Sequence, residues 1–356
     1  MKTSPRLELP APIPTPRQIH QALSRHVVGQ DRAKRALSVA AYNHLKRVSL
    51  RHTRRGAPLR KSNVLLIGPT GCGKTHLARH LAGLLGVPFH VADATEFTEA
   101  GYYGKDVEAM ISELLARAGH SVDEAQAGIV FVDEIDKIAR RAQGPRTGGG
   151  ARDIGGEGVQ QALLKLLEGR EVAVPLSPGQ HWPRQESVTV DTSDVLFICA
   201  GTFSDLHAYS DASRGLGFGA RDGNRVRRGV RQKDLLDYGL LAEFLGRLPV
   251  VVQLDELSPD ELLDVLTGPP EAVVREVQDL LLADGVELAF SDGALREIVH
   301  ASLERCAGAR GLRAAVEAVV ADLLFEGPER RGSRITVDAA YVRRRIERMD
   351  PQAMAE

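Results

Sequence analysis

Gly68-Pro69-Thr70-Gly71-Cys72-Gly73-Lys74-Thr75 fits the pattern GxxxxGK[ST]; it follows the short apolar run Asn63–Gly68 and opens into a helical pattern, Thr75–Leu85. A strand, a glycine loop and a helix in that order form a phosphate-binding device. The glycines let backbone N–H groups close around phosphate oxygens, and the helix N-terminus adds a favourable dipole. In such a loop Lys74 reaches the β- and γ-phosphates of a nucleotide, and the Thr75 hydroxyl holds Mg²⁺.

A second stretch, Ile129-Val130-Phe131-Val132-Asp133-Glu134, is an apolar strand that delivers two carboxylates at its end. Asp133 is placed to serve the metal and Glu134 to activate a water. Adjacent carboxylates at a strand end can also be a plain helix cap, and a phosphate loop alone is compatible with a kinase. The Asp-Glu pair downstream of the loop favours hydrolysis.

Around these motifs, Pro88–Ala92, Val195–Ala200 and Val250–Leu254 are further short apolar runs, with helical segments between most of them. Such alternation argues for an α/β fold, a parallel sheet sandwiched by helices. Helical spacing also covers Ile19–Lys46, interrupted by a turn at Val28-Gly29-Gln30, while loops rich in Gly and Arg fill 140–158 and 214–233. After Leu254 the texture becomes mainly helical. Ser258-Pro259-Asp260-Glu261 reads as a helix start and Ser291 as a cap, with strands at Val286–Phe290 and near Ile335–Val337. The expected organisation is a Pro-rich leader (1–16), a large nucleotide-binding domain (17–254), a smaller α/β domain (255–345) and a tail (346–356).

Bulk properties narrow the function classes. The 356 residues are 43% hydrophobic and 26% charged, with net charge −1, so nothing pulls the chain globally toward nucleic acid or an anionic membrane. No stretch approaches the roughly 18 uncharged apolar residues of a spanning helix, and the leader lacks an apolar signal core, so a cytoplasmic location is expected. Cys72, Cys199 and Cys306 form no CxxC pair, which leaves no Cys-based zinc module or disulfide framework on this chain. Cys72, near a helix N-terminus, stands where a thiol gains reactivity, so that alkylation would block nucleotide binding and nucleotide would protect; the alternative is that Cys72 merely fills a variable loop position.

Several further motifs resemble the ClpX family of AAA+ ATPases, over about residues 12–345. The segment from Thr15-Pro16 through Val28-Gly29-Gln30 to Tyr42-Asn43-His44 is similar to the part of that family that brackets adenine. Gly155-Gly156-Glu157-Gly158-Val159-Gln160-Gln161-Ala162-Leu163-Leu164-Lys165 is similar to its signature helix; Glu243-Phe244-Leu245-Gly246-Arg247-Leu248-Pro249 and Gly308-Ala309-Arg310-Gly311-Leu312-Arg313 match as well. The related HslU family carries a large inserted domain that this length cannot hold. The resemblance implies a P-loop ATPase domain followed by an α/β lid, here without the family's N-terminal zinc-binding module. It implies a homohexamer that hydrolyses ATP with Mg²⁺ and threads tagged or unfolded polypeptides through its pore to a ClpP-type peptidase. A free-standing remodelling chaperone is the alternative. A nucleic-acid motor is disfavoured by the neutral charge and the aromatic loop described next.

Residue by residue, the resemblance assigns Val28, Gly68, Pro69, Thr70, Gly71, Cys72, Gly73, Lys74, Thr75, His76, Asp133 and Arg310 to nucleotide binding. It assigns Glu134, Arg247 as an arginine finger and Arg310 as a second-sensor arginine to hydrolysis. An additional cation at the γ-phosphate stabilises charge developing in the transition state; alone, each arginine would read as a surface ion pair. Thr98-Glu99-Ala100-Gly101-Tyr102-Tyr103-Gly104 resembles the pore loop, with Tyr102 at the gripping position and Tyr103 where a small aliphatic is usual; by itself it would be an ordinary turn. A second pore loop would lie between Arg140 and Gly156, with Arg152 on the family pattern. Leu216-Gly217-Phe218 matches an aliphatic-Gly-Phe loop that docks on the peptidase, the alternative being a loop tip folded back on its own domain. Two departures stand out: Gln180-His181-Trp182 replaces a basic pore-entrance cluster, and Lys105 stands beside the gripping loop where an acidic residue is common.

Overall fold

The computed structural model describes residues 12–50, 61–98, 105–139, 154–175, 187–204, 206, 229–305 and 308–347. Thr15 and Gln18 open the first helix reciprocally. The Thr15 hydroxyl accepts from Gln18 N at 3.4 Å, and Gln18 Oε1 accepts from Thr15 N at 2.8 Å, a capping box with Pro16 in the first helical position. Helices α1 (Pro16–His26) and α2 (Asp31–Leu50) flank the glycine turn.

The elements that follow alternate: β1 (Val64–Ile67), α3 (Lys74–Leu85), β2 (Phe89–Asp93), α4 (Ala109–Arg117), α5 (Val122–Gln126), β3 (Ile129–Asp133) and α6 (Ile154–Glu168). Then come β4 (Glu171–Pro175), β5 (Ser187–Asp191), β6 (Leu196–Gly201), α7 (Gln232–Tyr238), α8 (Ala242–Gly246) and β7 (Val250–Gln253). Five strands form one parallel sheet in the order β2-β3-β6-β1-β7. Both faces of a parallel sheet are covered by crossover helices, which is why Val64-Leu65-Leu66-Ile67 is an unbroken apolar run with all four residues buried. The five apolar runs in the sequence are the five strands of this sheet. Helix α6 begins at Ile154, inside the stretch expected to be loop. The antiparallel pair β4–β5 was not anticipated; its trace is the alternation of buried Val172 and Val174 with exposed neighbours.

The last part of the chain supplies α9 (Pro259–Thr267), α10 (Val273–Ala283), β8 (Glu287–Phe290), α11 (Asp292–Glu304), α12 (Ala309–Glu326), β9 (Arg334–Val337) and α13 (Ala339–Glu347). Ser258 caps α9 with a capping box through Glu261, and the Ser291 hydroxyl caps α11 by accepting from Ala294 N. Strands β8 and β9 pair in parallel.

By packing, the chain divides into two compact units. One comprises Met1–His20, Arg32–Gly68 and Lys74–Leu254; the other comprises Gln21–Asp31, Pro69–Gly73 and Asp255–Glu356. The first has a core around Leu65, Phe131's strand neighbours Val130 and Val132, Phe197 and Phe244. The second centres on Leu262, Leu281, Ile298, Val316 and Val342. Among the described residues no helix is long and apolar enough to cross a membrane.

Candidate functional site

The phosphate loop joins β1 to α3. Gly71 and Gly73 take φ of +78° and +93°, a region in which a side chain costs roughly 1–2 kcal/mol; nothing lies within 4 Å of a Cβ built on Gly73, so conformation rather than space demands glycine there. Gly68 N donates to Gly201 O at 3.2 Å, tying the start of the loop to the end of β6. The buried Lys74 ammonium donates to Gly68 O at 2.7 Å. His76, exposed on the first turn of α3, packs edge-on against His80 with ring centroids 4.2 Å apart.

The Thr75 hydroxyl donates to Asp133 Oδ2 at 3.1 Å. Two hard oxygen donors from separate elements thus converge on one point. Such a donor set fits Mg²⁺, which takes few protein ligands and keeps the remainder of its shell as water and phosphate oxygen. Glu134 follows in the left-handed conformation, φ 57° and ψ 32°. Its N–H donates to Asp133 Oδ1 at 3.0 Å and its carbonyl accepts from Lys137 N at 2.9 Å. Glu134 is exposed at this turn.

Sequence reading missed the partner of that turn. Asp136, itself buried, accepts from Thr202 N at 3.1 Å through Oδ1 and from the Thr202 hydroxyl at 3.0 Å through Oδ2. A Cβ on Gly201 would come within 2.7 Å of that carboxylate. The end of β6 is therefore latched to the residues just past β3. Asp136 three residues after Asp133, with a Gly-Thr pair ending another apolar run, is the signal that was available.

In the second unit, Gly29 (φ 62°) and Gln30 (φ 55°) shape the turn after Val28. Gln30 Nε2 donates to Asp255 O at 2.7 Å and to Cys72 O at 3.5 Å, and Gln30 Oε1 accepts from Asp255 N at 3.1 Å. A Cβ on Gly29 would strike Glu261 Oε1 at 2.4 Å. The half-buried Val28 is thereby held by a turn anchored to the phosphate loop itself. Gly308, at the N-cap of α12, brings its backbone against Thr70 and Gly71, which a Cβ there would meet at 3.4 Å. Ser302 holds the Gly308 carbonyl at 2.7 Å. Arg310 is exposed in the first turn of that helix.

Arg247 follows α8. Its Nε and Nη2 donate to the same Glu168 oxygen at 3.0 and 2.7 Å. Tyr102, Tyr103, Arg152, Leu216, Gly217 and Phe218, together with Gln180-His181-Trp182 and Cys306, lie outside the described residues. The base of the 99–104 segment is described. Phe97 and Lys105 form a bridge, Thr98 N donates to Lys105 O at 3.2 Å and Lys105 N to Glu96 O at 3.0 Å. The Lys105 ammonium pairs with Glu96 at 2.8 Å, so the unexpected cation is countered at the base of that segment. Cys72 is only 4% exposed, an environment that favours a loop-filling role over a reactive thiol. Burial in β6 pushes the Cys199 thiol up to about 12.

Comparison with known proteins agrees with this geometry. Residues 59–251 match the profile of the AAA domain (Cdc48 subfamily), and residues 257–337 match the C-terminal, D2-small domain of ClpB protein. The ATP-dependent Clp protease ATP-binding subunit ClpX of Porphyromonas gingivalis is 43% identical over 338 residues, covering 92% of this chain and 82% of that protein. The corresponding ClpX 2 subunit of Wolinella succinogenes is 46% identical over 319 residues, covering 89% and 79%.

Proposed function

Because the chain belongs to the ClpX family of AAA+ ATPases, we propose that it assembles as a homohexameric ring, hydrolyses ATP with Mg²⁺, and threads polypeptides through its pore to a ClpP-type peptidase. The observation that carries the chemistry is the Thr75–Asp133 contact at 3.1 Å, with the exposed Glu134 next in the chain. Mg²⁺, when bound, neutralises charge on the β- and γ-phosphates. The protein's own groups do the rest. Backbone N–H groups of Gly71–Lys74 and the Lys74 ammonium would orient the phosphates; Thr75 and Asp133 would hold the cation; Glu134 would take a proton from the attacking water. Arg310 from the same chain and Arg247 from a neighbour add positive charge where it develops in the transition state.

A finger that acts on a neighbour requires a head-to-tail interface, which closes as a ring. Val28 would border the adenine, and His76 the phosphates. Tyr102 and Tyr103 would grip the chain in transit, with Arg152 on the second pore loop, and Leu216-Gly217-Phe218 would dock on the peptidase. The test is ATP-dependent degradation of a tagged, folded reporter, with and without a ClpP-type peptidase. Degradation only when the peptidase is present supports the full reading. ATP-dependent unfolding that never couples to the peptidase reduces it to a free-standing remodelling chaperone.

A further inference from the structure

The last carbonyls of a helix have no partner within it, and two of those of α6, Leu166 O and Leu167 O, are taken up by one small cluster. Lys61 Nζ and the Thr192 hydroxyl both donate to Leu166 O, at 3.3 and 3.2 Å. Asn63 Nδ2 donates to Leu167 O at 3.3 Å and also to Arg247 O at 3.0 Å. Asn63 is fully buried, and its Oδ1 accepts from Phe197 N at 3.3 Å. One side chain therefore ties the end of α6 to the backbone of Arg247. The next residue of α6, Glu168, ties down the Arg247 side chain.

The geometry of that ion pair is specific. A guanidinium carries five N–H donors in a fixed fork, and Glu168 takes one from Nε and one from Nη2, both on Oε1. The Nη1 edge has no partner among the described residues. A carboxylate that sequestered the arginine would engage the fork with both oxygens. This one takes only the Nε–Nη2 edge, through a single oxygen. Arg247 and Glu168 are each about half exposed, and exposed pairs add little to stability; what the contact changes is the set of orientations open to a long side chain.

We propose that Glu168 is a positioning residue for Arg247, holding the guanidinium so that its Nη1 edge faces the nucleotide of the neighbouring subunit. The proposal rests on the reading of Arg247 as a finger acting in trans. It also gives α6 a second task. The helix begins at Ile154, at the C-terminal end of the stretch assigned to the second pore loop, and ends in the cluster that holds Arg247.

Mixed rings separate a positioning role from a merely structural one. Rings are formed from Lys74→Ala chains, which lend a finger but hold no nucleotide, and Arg247→Ala chains, which hold nucleotide but lend no finger. ATPase from the mixture measures fingers acting in trans. Glu168→Gln, an isosteric change at an exposed position, is placed on one chain type or the other. On the Lys74→Ala chain it should lower the mixed-ring rate roughly two- to fivefold, the range an exposed ion pair can bias. On the Arg247→Ala chain, where there is no finger to position, the loss should be much smaller. Equal losses in both arrangements, or none in either, overturn the proposal. If the parent mixture is inactive although mixed rings form, the finger reading itself fails, and this inference falls with it.

Discussion

His44, in α2, is a buried acid switch on stability. Its Nε2 lies 2.8 Å from Ala127 O; a carbonyl only accepts, so Nε2 carries the proton and Nδ1 is the lone pair. Nδ1 faces Arg47 Nη2 at 3.4 Å, and Arg47 is committed by its ion pair to Asp194 at 3.0 Å. A second proton on His44 would remove that acceptor and set two cations against each other away from water. Burial first, and Arg47 second, push the imidazole down from 6.5 to about 3. The unfolded chain therefore binds a proton below about pH 6.5 that the folded chain refuses until about pH 3. Stability is full above the unfolded value and drains away as pH falls through that window. At about pH 5 the loss from this one group is about 2 kcal/mol, from 1.36 kcal/mol per unit over about 1.5 units. The assay is urea denaturation followed by circular dichroism at about pH 7.5 and about pH 5, on wild type and His44→Gln. The glutamine keeps a donor for Ala127 O and cannot be protonated in this range. The wild type should lose about 2 kcal/mol more than the variant between the two pH values. Equal losses would refute the reasoning, since every other titrating group is shared.

Three further outcomes are expected. Glu134→Gln should retain ATP binding and ring assembly while turnover falls by at least about a hundredfold, the usual scale of general-base loss; near wild-type hydrolysis would remove Glu134 from that role. Tyr102→Ala should keep ATPase activity but lose degradation of stably folded reporters, and unchanged degradation would take Tyr102 out of the grip. Phe218→Ala should spare ATPase and unfolding while weakening peptidase binding, because each docked side chain contributes roughly 1.5–3 kcal/mol and ring avidity multiplies the loss; peptidase affinity equal to wild type would end the docking assignment.

Much of this was legible in the sequence because strands buried on both faces must be continuously apolar. Val64–Ile67 and Ile129–Val132 announce themselves that way, and each leads into the residues proposed to hold phosphate or metal. Capping chemistry is equally local, so Ser258 and Ser291 could be read directly. The Asp136–Thr202 latch and the Asn63 junction could not. Their partners are 66 and 184 residues apart, and a single Asp or Asn carries no periodicity to betray its mate. The β4–β5 pair was missed because its two strands show only two or three alternations each. Arg247 was found through its flanking motif, whereas Glu168 closes an ordinary helix and looks like any solvated charge.

The left-handed backbone at Glu134 sets stability against work. A residue with a Cβ spends roughly 1–2 kcal/mol to remain in that conformation, and glycine would relieve most of it. Selection for a tougher fold alone would therefore favour Glu134→Gly, a change that removes the carboxylate from the end of β3. A library screened only for heat resistance should drift toward glycine at this position, and one screened for ATP turnover should hold the strained glutamate. Which of the two residues survives reports whether a population of such chains is being kept for its shape or for its motion.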